Sequence, residues 1–300
     1  MFGRGSGAAF SLSVFSCVVI GLFLTACERS DSSAGASNKI SIQNTGSDTM
    51  VQIAQAWAEE YDKVKPSVSV EVAGGGSSVG IKDLVQGTVD IANCSRAMKP
   101  SEREQAIQNT KKTPIEFIVG YDGIGVYTHK DNPLKNITIS QLAEIYKEDG
   151  TISKWSELGA EASFCPSDEI IRFSRQSNSG TYAFFRKAVL EKGDFKLGSR
   201  DMHGSKDVVD AVANTPCSVG YSGMGYKTHE VNFLAVKNTD DGEAFMPNAE
   251  NVVNKNYPLA RPLFVYTLGE PTGEVKAYLD WILSPDGQNI LKDLGYVPVK

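Results

Sequence analysis

Residues 172–182 read Arg-Phe-Ser-Arg-Gln-Ser-Asn-Ser-Gly-Thr-Tyr, which sets an arginine, several hydroxyls and a glycine where a strand gives way to a helix. A chain can build a cage for a small oxyanion this way. The amides at a helix start point outward with the positive end of the helix dipole. Ser179 and Thr181 add hydroxyl donors, and Arg175 adds a planar, two-pronged cation. The same Ser-Asn-Ser-Gly is also ordinary capping chemistry, so this stretch alone leaves both readings open. Two more loops repeat the pattern. Gly46-Ser47-Asp48-Thr49 precedes apolar residues at helical spacing (Met50, Ile53, Ala54, Trp57, Tyr61), and Gly74-Gly75-Gly76-Ser77-Ser78 follows a strand and precedes a short helix.

The elements that must position these loops alternate along the chain. Strands are expected at 39–43, 68–72, 89–93, 170–174 and 262–268, and helices from Met50, over 81–85, from about Pro100, over 139–147, 181–192 and 208–214, and within 273–294. Such alternation argues for an α/β fold with parallel sheets and helices on both faces. The apolar runs 115–120 and 124–128 flank Tyr121-Asp122-Gly123, where an interrupted strand is expected to cross between lobes. About 260 residues after the N-terminal segment exceed one ordinary core, which suggests two lobes. The first stretch lacks strands for a complete sheet, so the last forty or so residues are expected to return to it, giving two crossings. The expected division is lobe I at 39–121 plus 258–300 and lobe II at 122–257.

Residues 1–27 carry a single charge, Arg4, then an apolar run and Leu24-Thr25-Ala26-Cys27. This reads as an export signal ending in a small-residue cleavage site, followed by a polar linker at 28–38. Leu-Thr-Ala-Cys resembles the bacterial lipobox, which makes Cys27 the lipidation site. The body is then expected to be extracytoplasmic and lipid-anchored to a bacterial membrane. The formal net charge of −6, with no basic stripe, speaks against nucleic acid as a partner. An anion must then be held by local geometry. In an oxidising compartment, Cys165 and Cys217 are the preferred disulfide, since each precedes an apolar run that adjacent strands would align; Cys94 is then the odd thiol. His129, His203 and His229 are scattered, and no metal cage or cofactor motif is apparent.

Taken together, Gly46 to Met50, Gly75 to Gly80 and Arg175 to Thr181 resemble the motifs of the phosphate-binding proteins of bacterial phosphate ABC importers. The resemblance covers most of the chain in motif order, including Ser218-Val219-Gly220-Tyr221. It implies a type II periplasmic-binding-protein fold, two lobes closing on inorganic phosphate, and delivery to ABC permease subunits by a monomer without cofactor. By position it implies a phosphate site of Thr49, Met50, Ser77, Arg175, Ser179, Gly180 and Thr181. One departure stands out. Where better-known members carry an aspartate that accepts the phosphate proton, this chain reads Cys94-Ser95-Arg96. Asp48 is one candidate replacement acceptor; Ser95 facing the ligand, with Arg96 pairing to it or to Asp48, is the other, and an exposed salt bridge at a helix start is an equal reading of Arg96. Sulfate, molybdate or a phosphonate is the rival ligand. A hydrolase using Ser179 or Ser77 lacks a paired base and a nucleophile elbow, and a sensor of phosphate status would use the same cleft.

Overall fold

In the computed structural model, which describes residues 39–299, the first elements are β1 (Ile40–Gly46), α1 (Val51–Val64), β2 (Val68–Ala73), α2 (Ser77–Gln86), β3 (Ile91–Cys94) and α3 (Pro100–Thr110). A long strand, β4 (Pro114–His129), follows, and then β5 (Asn136–Thr138), α4 (Ile139–Tyr146), β6 (Ile171–Arg175), α5 (Gly180–Ala188), β7 (Arg200–Met202), α6 (Ser205–Ala213) and β8 (Ser218–Gly223). The chain closes with β9 (Val231–Lys237), β10 (Ala244–Phe245), α7 (Ala249–Val253), β11 (Ala260–Leu268), α8 (Gly273–Ile282) and α9 (Pro285–Asp293). The expected signal peptide, the linker and Cys27 lie outside the described residues.

The strands run in the order β2-β1-β3-β11-β4-β8-β6-β7. Within this order β1 is parallel to β2 and β3, and β6 is parallel to β7 and β8, so each half keeps a parallel core. The strands between the halves, β11 and β4, run antiparallel to their neighbours. β4 joins the halves itself. Its first part, Pro114 to Gly123, pairs with β11, and Ile124 onward pairs with β8 and β9.

The expected break at Tyr121-Asp122-Gly123 does not occur, because a charge in mid-strand is tolerable once it is matched. Asp122 accepts from Arg261 Nε at 3.0 Å and Nη2 at 2.8 Å and from the Met224 amide at 3.1 Å, so the strand runs through. At Gly123 a side chain would meet Met224 and Tyr257 at 3.2–3.3 Å, and the strand stays bare there.

The C-terminal segment packs against the first half. Trp57, fully buried on α1, donates from its indole to Gly287 O at 2.7 Å, and the Tyr61 and Tyr278 rings lie 4.9 Å apart. Truncating a buried tryptophan of this kind costs about 3–5 kcal/mol, so α1 and the returning α8 and α9 are held as one core. The second half is organised by Tyr146, Phe185 and Tyr221, the last two stacked at 3.8 Å. Tyr146 satisfies its buried hydroxyl on Phe173 O and Val219 O, which ties α4 to β6 and β8. Cys165 and Cys217 form a disulfide with Cα atoms 5.2 Å apart, pinning the loop beneath Trp155 to the start of β8. Cys94 is a buried free thiol.

Some expected element bounds shift for local reasons. α5 ends at Ala188 rather than Lys192, because Glu191 and Lys192 take left-handed φ of 51° and 71°. The final helical stretch divides at Ser284-Pro285, where proline starts α9. α2 and α6 start earlier than expected, at Ser77 and Ser205, which brings a serine to each helix start. Among the described residues no helix is long and apolar enough to cross a membrane.

Candidate anion-binding site

In a doubly wound arrangement the ends of the parallel strands gather the helix starts at one crevice. β1 leads into the turn at Gly46 to Thr49, β2 into α2 at Ser77, β3 into Ser95, and β6 into Arg175 and α5. These ends meet. Thr49 Oγ1 and Thr181 Oγ1, 132 residues apart, are 2.8 Å from each other, and Ser205 Oγ lies 3.4 Å from Thr49. On the other flank Ser47 donates to Ser95 Oγ at 2.8 Å, Ser77 and Ser95 hydroxyls are 3.3 Å apart, and the Ser95 amide donates to Ser77 Oγ at 3.0 Å. All of these side chains are buried.

Two guanidinium groups frame the hydroxyls. Arg175, fully buried, donates through Nη1 to Ser205 Oγ at 2.9 Å and through Nη2 to Asp48 at 3.2 Å and His203 O at 3.0 Å. Its Nε has no partner within the protein. Burial lowers the Arg175 proton affinity, with Asp48 pulling it back up; a guanidinium stays charged through such a shift. Arg261 spans the crevice. Besides its bonds to Asp122, it donates to Thr181 Oγ1 at 2.9 Å, to Thr49 Oγ1 at 3.3 Å and to Ser95 O at 2.9 Å. Burial pushes the Asp122 carboxyl up, opposed by Arg261 and the Met224 amide. Tyr226, its own ionisation pushed up to about 12 chiefly by burial, remains a neutral donor to the carbonyls of Asp48 and Thr49 and holds the first turn in place.

The halves approach backbone to backbone. The Ser78 amide donates to Asn178 O at 3.1 Å, and the Asn178 side-chain Nδ2 donates to Gly75 O at 2.9 Å. Gly76 has φ +96°, and a Cβ there would lie 2.6 Å from Asn178 O, so both conformation and space require glycine. A cavity of about 550 Å³ reaches the cluster past Asp48, Gln52, Ser205 and Tyr226, and one of about 400 Å³ reaches it from the other side past Ser95, Phe184 and Arg261.

Of the residues singled out from sequence, Asp48, Thr49, Ser77, Ser95, Arg175, Gly180 and Thr181 converge here. Ser179 lies beside them, but its oxygen caps α5 by accepting from the Thr181 and Tyr182 amides at 3.1 and 3.4 Å. Met50 does not present donors as expected. Its amide closes a turn onto Ser47 O at 2.8 Å and its side chain packs in the core with Ile53 and Trp57. Arg96 is also turned away from the hydroxyl cluster. Glu102, at the start of α3, offers it a two-oxygen match at 2.7 and 2.9 Å, and it also donates to Ser78 Oγ at 3.1 Å and Ala97 O at 3.0 Å. Arg96 pairs with neither Ser95 nor Asp48. Asp48 accepts one donor on each oxygen, from Arg175 at 3.2 Å and from the Gly75 amide at 2.8 Å, which leaves acceptor sites on both. Arg261, Asp122, Ser47 and Ser205 were missed. Asp122, an acidic residue amid an apolar run, signals that a buried cation must exist somewhere.

An α/β body of two half-sheets with helix starts converging on a buried polar crevice defines a binding protein, and the PBP superfamily domain matches residues 31–286. The chain belongs to that superfamily. Among curated relatives, phosphate-binding protein PstS of Pseudomonas aeruginosa is 33% identical over 270 residues, covering 86% of this chain and 83% of its own length. PstS of Bacillus subtilis is 30% identical over 275 residues, covering 90% and 85%. A Clostridium perfringens protein described as a phosphate ABC transporter substrate-binding protein, solved with bound phosphate, is 32% identical with a TM-score of 0.75, covering 87% of this chain and 100% of that one. The family is one of transporter substrate-binding proteins, not of enzymes.

Proposed function

We propose that this chain captures inorganic phosphate in the crevice between its halves and delivers it to the membrane permease of an ABC importer. One observation carries the reading. Thr49 and Thr181, from opposite halves, touch at 2.8 Å; buried Arg261 donates to both, and buried Arg175 donates to Ser205, whose hydroxyl lies 3.4 Å from Thr49. Hydroxyls and guanidinium groups from both halves at one crevice match a small tetrahedral oxyanion, whose oxygens all accept. Two lobes, 39–121 with 258–300 and 122–257, would close on the anion about the strands β4 and β11. Thr49, Ser77, Ser95, Arg175, Gly180 and Thr181 form its shell, with Ser179 holding the start of α5 in register. The protein works as an extracytoplasmic monomer, anchored through lipid on Cys27.

The test is thermal. A ligand that binds only the native state raises its melting temperature by mass action. Phosphate is expected to raise the melting temperature of the wild type in a saturable way, and Arg175→Ala is expected to remove that response while circular dichroism stays native. An undiminished phosphate response in Arg175→Ala contradicts the reading.

A further inference from the structure

The loop from Gly75 to Ser78 is fastened to its own half at several points. The Gly76 amide donates to Gly46 O at 2.9 Å, the Gly75 amide donates to Asp48 at 2.8 Å, and Ser78 Oγ accepts from Arg96 at 3.1 Å. Asn178 is placed as firmly on the other half, in the turn from β6 into α5, where the Ser179 amide donates to Gln176 O at 2.9 Å and Ser179 Oγ caps the helix. Across the crevice this one residue meets the loop twice. Its carbonyl accepts from the Ser78 amide, and its side-chain Nδ2 donates to Gly75 O. A side-chain amide copies the donor of a peptide group, so asparagine pairs with backbone both as acceptor and as donor. Gly76 leaves the room for this pairing, since a Cβ there would lie 2.6 Å from Asn178 O and 3.3 Å from Asn178 Cγ.

Both bonds run from one half to the other, so both break when the halves part. Asn178 is only partly buried, and the separated groups then bond to water. The pairing therefore favours the closed arrangement by the modest amount that neutral hydrogen bonds contribute. We propose that Asn178 clasps the halves shut over the anion and sets the rate of its release, as a positioning residue that acts through the backbone of Gly75 and Ser78. This rests on the phosphate reading above. An anion meets the parted halves before the clasp forms, so association does not depend on Asn178, whereas release waits for the clasp to break. Truncating the side chain removes the bond to Gly75 O and keeps the carbonyl's bond to Ser78. Loss of one neutral hydrogen bond is worth about two- to tenfold, and loss of one to a charged ligand more than about tenfold.

The experiment is stopped-flow measurement of inorganic phosphate binding and release by the full mature protein. Asn178→Ala is expected to speed release about two- to tenfold with the association rate unchanged, and by the same factor on the acidic and the basic side of neutrality, where the charge of phosphate differs. An unchanged release rate, or a change confined to association, overturns the proposal. So does a factor well above tenfold or one that grows with the charge of the anion, because either marks a direct contact with the ligand. Asn178→Leu keeps much of the side-chain volume without the donor and is expected to match Asn178→Ala; release as slow as in the wild type would show that packing, not the hydrogen bond, closes the seam. The leucine variant also carries the test should the alanine variant fail to fold by circular dichroism. Wild-type protein that binds phosphate while both variants release it at the native rate sinks this proposal alone, whereas a folded wild type that binds no phosphate sinks the phosphate reading with it.

Discussion

Gly180→Ala probes the approach of the two halves with a single methyl group. Gly180 is the first residue of α5 and its φ is not left-handed, so alanine suits its backbone and the helix itself gains slightly. The obstacle lies across the crevice. A Cβ at this position would sit 2.4 Å from Ser77 Oγ, 2.5 Å from Ser95 Oγ and 3.1 Å from Ser77 Cβ. With the two hydroxyls kept toward the crevice, the 2.4 Å contact requires the halves to separate by about 1 Å to restore ordinary packing. The Thr49–Thr181 contact, 2.8 Å in the native chain, would then exceed hydrogen-bond range. Loss of two hydrogen bonds to a charged ligand, at about 1.5–3 kcal/mol each, predicts at least a hundredfold weaker phosphate binding. Stability should change by no more than about 1 kcal/mol, because the cores of the two halves are untouched. The assay pairs calorimetric titration with urea unfolding. Native affinity in a folded Gly180→Ala protein would refute the argument that the halves meet at this point.

Three further outcomes are expected. Arg261→Met keeps much of the side-chain volume but strands Asp122 without its cation, so unfolding free energy should fall by about 3–5 kcal/mol, and the double variant with Asp122→Asn should recover part of it; a stable single variant would mean that the pair is not buried as a unit. Reducing the Cys165–Cys217 disulfide, which closes a 52-residue separation, should lower stability by about 2–4 kcal/mol, read as a lower melting temperature with reductant and no change in a Cys165→Ser, Cys217→Ser control. Glu102 is the pH-sensitive group on this face. Burial pushes its carboxyl up, but Arg96 and the Lys99 amide outweigh that and hold it below the ordinary carboxylate value. A lowered carboxyl contributes fully above the unfolded value of about 4.3 and is lost as pH falls through the folded one. Glu102→Gln should therefore flatten the acid side of the urea-stability profile, while an unchanged profile would show that the Arg96 clip is energetically silent.

The helix starts were legible in the sequence because glycine and hydroxyl residues before an amphipathic run have a local cause, and Thr49, Ser77 and Thr181 stand at such starts. Ser205 follows the same rule after Gly204; it escaped notice because the apolar spacing is visible only from Val208. What the sequence withheld was long-range pairing. Arg261 opens a strand with no motif around it, and its match to Asp122 spans 139 residues, a distance over which spacing carries no information. Asp122 announced a buried partner without naming it. For Arg96 the sequence allows ligand contact or a salt bridge at a helix start, and the structure takes the second with Glu102, six residues away with both oxygens aligned. The unbroken β4 has the same origin. Only the returning β11 supplies the cation that lets the strand carry a carboxylate through its middle.

The central claim, that hydroxyls and arginines from both halves close on one anion, is tested most directly by calorimetric titration of phosphate into the anion-free protein. One saturable site per chain is predicted, lost in Arg175→Ala. Absence of a saturable phosphate site in the folded wild type would contradict it.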